Sequence, residues 1–381
     1  MIIHDPSMPS LSGERFTVVY SLKGDEKEAF SMAHDICFEQ TVEFPEELVP
    51  EGTIKDYITG KVEEFYRKDE NSFHAHISFA VETTAFELTQ LLNVIFGNVS
   101  LKPGRKVEYI KFSDGLLKIF KGPLFGVSGI RILLGIEGRP ILATALKPMG
   151  LSSSELASLA YKFAIGGIDI IKDDHGLSDQ PFSRFEERVA LCSEAVIKAN
   201  RETGGRCIYV ANITAGFTEL HKRARFAKDA GAGALMVAPG ITGFSAVSYL
   251  AEDKSLGLPI ISHPAFLGSY VQEGSGISHR ALFGQLTRLS GADAVIYPNF
   301  GGRFSFSKDE CKSIAEGASE PMGNIKPIFL APGGGMKLEK IPDYMDVYGK
   351  DVIYLIGGGL FTHGPDIVEN CKFFRGLIQN S

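Results

Sequence analysis

A four-residue run, Lys172-Asp173-Asp174-His175, sets an amine, two carboxylates and an imidazole side by side. Groups of these types can move protons, hold a divalent cation or stabilise a developing oxyanion. An equally good reading of the run alone is a set of solvated ion pairs. A second lysine, Lys147, closes an apolar stretch upstream, and Asn212, His263, Tyr297 and Asn299 close or follow others downstream. Two glycine triplets, Gly333-Gly334-Gly335 and Gly357-Gly358-Gly359, follow the last two apolar stretches. Glycines there let backbone N–H groups approach phosphate oxygens closely. The plainer reading of a glycine triplet is a tight turn.

These residues make sense only if the apolar runs before them share one rim. The runs are Ile141–Leu146, Ile168–Ile171, Cys207–Ala211, Ala234–Ala238, Pro259–Ile261, Ala294–Tyr297, Pro327–Leu330 and Val352–Ile356. Their continuous apolar character predicts parallel strands buried on both faces. Amphipathic stretches such as Ser153–Ile165, Arg184–Asn200 and Thr218–Ala230 predict the helices between them. Ser152 or Ser153 with Glu155 caps the first, and Gly166-Gly167 ends it. Eight strand–helix units predict an α/β fold of the (β/α)₈ type, whose functional groups stand at the C-terminal strand ends. A doubly wound sheet is the alternative, but no GxGxxG follows the first strand.

The N-terminal part reads differently. Strands over Phe16–Ser21 and His74–Val81, with helices near Lys27–Ile36 and Phe86–Phe96, predict a ferredoxin-like α+β domain. The expected boundaries are residues 1–122 for this domain and 123–381 for the barrel, joined by a linker around Gly122–Gly135.

Composition narrows the class. At 381 residues with 44% apolar and 22% charged residues, the chain suits a two-domain globular enzyme. No apolar run reaches the roughly 18 residues that span a bilayer, so no membrane association and a cytoplasmic location are expected. A net charge of −7 without a basic tract argues against a nucleic-acid partner. Five scattered cysteines with no CxxC spacing argue against a disulfide framework or a structural zinc site.

The segment GGIDIIKDDHGLSDQPFSRFEERV (166–189) resembles the metal-binding segment of the RuBisCO large-subunit family. GRPILATALKPMGLS (138–152), IISHP (260–264), LSGADAVIYP (289–298), APGGG (331–335) and IGGGLFTHGPD (356–366) fall in that family's order. FEQT (38–41) and FGN (96–98) extend the likeness into the N-terminal part. The resemblance implies Lys172 as a CO₂-derived carbamate binding Mg²⁺ with Asp174, and Lys147 and His263 acting on substrate. It implies phosphate held by Gly333, Gly334, Gly357 and Gly358. Glu39 and Asn98 would serve a partner subunit's site, so the expected unit is a homodimer. Asn212 is added to the expected substrate contacts.

The departures matter as much. His175 replaces a metal-binding glutamate, Met149 stands where a second catalytic lysine belongs, and Pro264 replaces an arginine. The loop NFGGRFSFS (299–307) lacks a lid lysine, with Arg303 as its nearest cation. His175 remains a candidate catalytic group and metal ligand, though nitrogen suits Mg²⁺ poorly. These losses argue for a RuBisCO-like protein that does not carboxylate. The leading expectation is decarboxylation or C–C cleavage of an oxo sugar-acid phosphate. Enolase or isomerase chemistry on a methionine-salvage ketose phosphate comes next, and a non-catalytic phosphosugar-binding protein third. His279 fits a surface or capping group, His363 just beyond Gly359 is a further candidate to line the mouth, and Asp173 is expected to orient its neighbours.

Overall fold

The computed structural model describes residues 11–304, 306–336 and 340–379. They form two compact units, each with its own sheet.

The first unit runs to Lys121 and also takes Gly268–Leu286 and Pro321–Ile325, two segments from within the 123–381 stretch. Its strands β1 (Arg15–Lys23), β2 (Lys61–Asp69), β3 (Ser72–Ala80) and β4 (Arg105–Lys111) lie in the order β4-β1-β3-β2. All three pairings are antiparallel, which with a helix after β1 and another after β3 is the ferredoxin-like βαββαβ arrangement. The helix Glu26–Glu39 opens on an Asp25–Glu28 capping box, which satisfies two otherwise free backbone donors. Alternation along β3 buries Phe73, Ala75, Ile77 and Phe79 as one set. A short hairpin, Val271–Gln272 with Ser275–Ile277, adds to the free edge of β4 by a parallel pairing of Ile277 with Val107. Next to it the buried Gln285 amide acts as a strand surrogate, accepting from Ile110 N at 2.9 Å and donating to Ile110 O at 2.8 Å.

The second unit is the eight-stranded barrel. Its strands, in order, are Ile141–Leu146, Ile170–Asp173, Ile208–Asn212, Ala234–Val237, Ile260–Ser262, Ala294–Pro298, Phe329–Gly333 and Ile353–Leu355. Each pairs in parallel with the next, strand eight pairs with strand one, and a Leu330–Val352 bridge closes the ring. Inward-pointing Ile141, Ala143, Ile170, Val210, Met236 and Ile296 contribute to the packed interior. No described helix is long and apolar enough to cross a membrane.

Two strands start two residues later than the apolar runs predict. In strand two, Ile168 N turns back to Phe163 O and closes the preceding helix, so the ladder begins at Ile170 and carries Lys172 inside it. In strand seven, Lys326 O accepts from Arg288 Nε and Pro327 O from Val127 N, so these carbonyls serve the barrel floor and the strand runs on to Gly333. The first helix is capped as expected, by a Ser152–Glu155 capping box. Gly166 ends it where a Cβ would stand 2.4 Å from Cys371 Cβ, so only glycine allows that approach.

The barrel floor hangs on one carboxylate. Asp293 accepts from Phe125 N (2.7 Å), Gly126 N (2.8 Å) and Ile260 N (2.9 Å), while burial pushes its carboxyl up to about 6. Asp293→Asn keeps one acceptor oxygen but turns an NH₂ group on a backbone donor. A loss of about 1–3 kcal/mol is expected in denaturant unfolding.

Candidate active site

Strand two alternates, and its last residues therefore do opposite jobs. Lys172 shares the inward parity of Ile170 and is 4% exposed, its Nζ donating to Asp173 O at 3.0 Å. Burial, with Lys147 nearby, pushes this amine down to about 8, against the pull of Asp174 and Asp173. Asp173 points the other way, into a closed network. It accepts from Arg188 Nε at 3.2 Å, Tyr209 Oη at 2.7 Å and Asn212 N at 3.1 Å.

Asp174 begins the following loop and gathers the mouth. Lys147 Nζ lies 2.6 Å from Asp174 Oδ1, and His175 Nδ1 lies 3.5 Å from the same oxygen. Burial works against this carboxylate, but His175, Lys147 and Lys172 outweigh it and hold Asp174 well below the usual range. His263, after strand five, stacks on His175 with ring centres 4.5 Å apart and planes 13° from parallel. Its Nδ1 accepts from Ala265 N at 3.1 Å, so the proton of the neutral ring sits on Nε2. Burial first, then Lys172 and His175, push His263 far below the ordinary imidazole range. It is therefore a neutral N–H donor at physiological pH.

Asn212, expected on substrate, is 2% exposed and spends its amide on protein. Nδ2 donates to His175 O (3.0 Å) and Leu177 O (2.8 Å), and Oδ1 accepts from Thr214 N (3.2 Å). Its geometry braces the 174–177 loop. Met149 lies over that loop, its Cε 2.4 Å from where a Cβ on Gly176 would stand.

The loops after strands six and seven are joined backbone to backbone. Asn299 N donates to Gly333 O (2.8 Å) and Arg303 N to Gly334 O (2.9 Å). The fully buried Asn299 side chain accepts from Tyr348 Oη at 2.6 Å and reaches Met336 Sδ at 3.0 Å. Gly334 has φ +80°, and a Cβ there would meet the Phe304 ring at 2.8 Å. Arg303 is exposed, its guanidinium 5.1 Å from the Phe304 ring centre. At Gly357 and Gly358 an added Cβ would meet nothing within 4 Å, so open space faces both glycines. The Tyr348–Asn299–Met336 chain carries no sequence signal that could have found it.

Glu39 and Asn98, far apart in sequence, meet in the first unit. Asn98 Nδ2 donates to Glu39 Oε1 (3.2 Å) and Glu43 Oε1 (2.9 Å), and Lys102 Nζ holds Glu39 Oε2 at 2.8 Å. Lys102 first, then Asn98, hold Glu39 below the usual carboxylate range.

Among the described residues, no three His, Cys, Asp or Glu side chains gather as a metal-ligand set. An oxygen donor on Lys172 would complete a ligand set with Asp174 and His175 at the mouth. The buried, readily deprotonated amine of Lys172 suits carbamate formation with CO₂, and Asp174 is already held ionised. With that carbamate the donor chemistry fits Mg²⁺, and better a slightly softer ion, because His175 offers nitrogen.

A barrel with a lysine–aspartate–histidine mouth at its C-terminal rim defines a class of small-molecule enzymes. Residues 126–375 match the family described as ribulose bisphosphate carboxylase large chain, catalytic domain, and the chain belongs to that family. It is 36% identical to a 5-methylthioribulose-1-phosphate isomerase of Rhodospirillum rubrum, covering 97% of each chain. It is 32% identical to a 2,3-diketo-5-methylthiopentyl-1-phosphate enolase of Bacillus pumilus, over 84% of this chain and 80% of that one. A solved RuBisCO-like protein from Rhodopseudomonas palustris superposes with TM-score 0.87 at 35% identity, covering 96% of this chain and 98% of the other. The chain is thus a RuBisCO-like member of the family, outside its CO₂-fixing carboxylases.

Proposed function

We propose that this mouth transfers a proton on a monophosphorylated ketose, an isomerase or enolase reaction passing through an enediolate. The observation that carries the proposal is the Lys147 amine held 2.6 Å from Asp174 beside His263, a neutral N–H donor. Lys147 Nζ, as the free amine after its ammonium proton has left to solvent, takes the proton from the carbon next to the carbonyl and returns it to the neighbouring carbon. Asp174 aims that amine, and His263 Nε2–H donates to the substrate oxygen on which charge develops. Mg²⁺ on a Lys172 carbamate, Asp174 and His175 would supply Lewis-acid stabilisation of that oxygen. Backbone N–H groups at Gly333 and Gly334, with those at Gly357 and Gly358, hold one phosphate, and Arg303 adds positive charge. Pro264 supplies no cation for a second phosphate. Met149 instead offers an apolar wall over Gly176, suited to an uncharged distal end such as a methylthio group. Likeness to an isomerase and an enolase supports this reading over the decarboxylation expected first.

Decarboxylation of an oxo sugar-acid phosphate stays as the second reading, favoured by Met149 itself. Loss of CO₂ needs no base to begin, so a missing lysine hinders it less. Glu39 and Asn98 are proposed to complete a partner copy's site, with the homodimer as working unit.

Turnover of 5-methylthioribulose 1-phosphate, followed by NMR of the products, tests the proposal. Isomerised product is expected, falling about 10²–10⁴-fold in Lys147→Met. CO₂ release from an oxo sugar-acid phosphate with no isomerisation would replace it by the second reading. Gly334→Ala strains a left-handed backbone and drives into Phe304. It is expected to raise KM about tenfold, the equivalent of about 1.4 kcal/mol.

A further inference from the structure

A second cluster of potential metal ligands lies in the first unit, on the sheet face opposite Phe73, Ala75 and Ile77. His74 and His76 alternate onto that face of β3, and register places Tyr66 of β2 across from His74 and Glu64 across from His76. The Tyr66 hydroxyl stands between the two imidazoles, 3.3 Å from His74 Nδ1 and 3.5 Å from His76 Nε2. Both rings lie edge-on to the phenol at 69°. One hydroxyl proton cannot serve two ring nitrogens that both present lone pairs.

The spacing has a natural interpretation. In a tetrahedral site with bonds of about 2.0–2.1 Å, ligand atoms stand roughly 3.3 Å apart. The two nitrogen–oxygen separations are close to edges of such a tetrahedron. Glu64 Oε2 lies 3.0 Å from His76 Nδ1, the carboxylate–histidine pairing that places the ring proton on Nδ1 and leaves the Nε2 lone pair toward Tyr66. Lys111 Nζ approaches the same Nδ1 at 3.4 Å, a longer contact than the carboxylate makes. His74 Nε2 is buried with no hydrogen-bond partner among the described residues; with Nδ1 facing Tyr66, this nitrogen carries the proton of the neutral ring.

We propose that His74 Nδ1, His76 Nε2 and the Tyr66 phenolate bind one borderline divalent transition metal, of the Zn²⁺, Ni²⁺ or Cu²⁺ class. Water fills the fourth position, and the phenol proton leaves to solvent on binding. Two imidazoles and a phenolate suit these ions and disfavour Mg²⁺. The site's consequence is structural. β2 is an edge strand with mostly exposed residues, and a chelate across Tyr66 and the β3 histidines staples it to the sheet.

The test uses the whole chain with Cu²⁺ alone as the probe, read by visible absorption and electron paramagnetic resonance. A phenolate-to-copper charge-transfer band is expected in the natural sequence. Tyr66→Phe should lose the band and keep nitrogen hyperfine splitting from the imidazoles. His74→Asn/His76→Asn should lower the bound copper by one ion per chain. Absence of the band in the natural sequence overturns the proposal, as does copper stoichiometry unchanged by the double substitution. Because Tyr66 is 45% exposed, Tyr66→Phe should fold normally and decides the matter if the double variant does not.

Discussion

Lys172→Met is expected to abolish turnover, by about 10³-fold or more, while the barrel stays folded. Methionine is close to lysine in length and apolar, so it fills the same inward position in strand two without leaving a large hole. What it removes is the amine that burial holds at about 8, and with it the oxygen donor proposed for a divalent ion at the mouth. Asp174 also loses one of its three cationic or hydrogen-bonding neighbours, leaving Lys147 and His175. The check is steady-state activity at saturating CO₂ and metal, beside a thermal unfolding curve. Activity within tenfold of the natural sequence would mean that the chemistry runs without Lys172.

Asp173→Ala should be the most destabilising single change in the barrel mouth, by about 3–5 kcal/mol. Asp173 and Arg188 are both fully buried, and the carboxylate also holds Tyr209 Oη and Asn212 N. Removing it strands a guanidinium charge away from water, which costs far more than the pair itself contributes. Asn212 braces the carbonyls of His175 and Leu177, so the mouth loosens along with the core. In thermal unfolding the barrel transition should fall by about 10 °C. A transition within two or three degrees of the natural sequence would show that the network contributes little.

Much of this architecture can be read in the sequence because continuous apolar runs have few other uses. Eight of them, spaced by amphipathic stretches, dictate a barrel, and its strand ends then nominate Lys147, Asp174, His263 and the glycine triplets. Strand ends proved harder, since they depend on where single hydrogen bonds go. Ile168 N closing a helix is what moved Lys172 from a loop into strand two. Asn212 stands at a strand end, but the two carbonyls that its amide holds are brought near only by folding. The hairpin that extends β4 was hidden for a related reason. Val271–Gln272 and Ser275–Ile277 are too short to show a period, and their partner is remote in sequence. His74 and His76 are adjacent in the alternation of β3, but Tyr66 reaches them only through the register of β2.

The most direct test of the central claim is proton exchange at carbon. Incubating the protein with 5-methylthioribulose 1-phosphate in D₂O, under CO₂ and Mg²⁺ or Mn²⁺, should place deuterium beside the carbonyl, as seen by NMR. Lys147→Met should not do so. The same protein given ribulose bisphosphate should form no carboxylated product. Carboxylation of the bisphosphate, or product formed with no solvent deuterium incorporated under any metal, would contradict an open proton-transferring mouth built around Lys147 and Asp174.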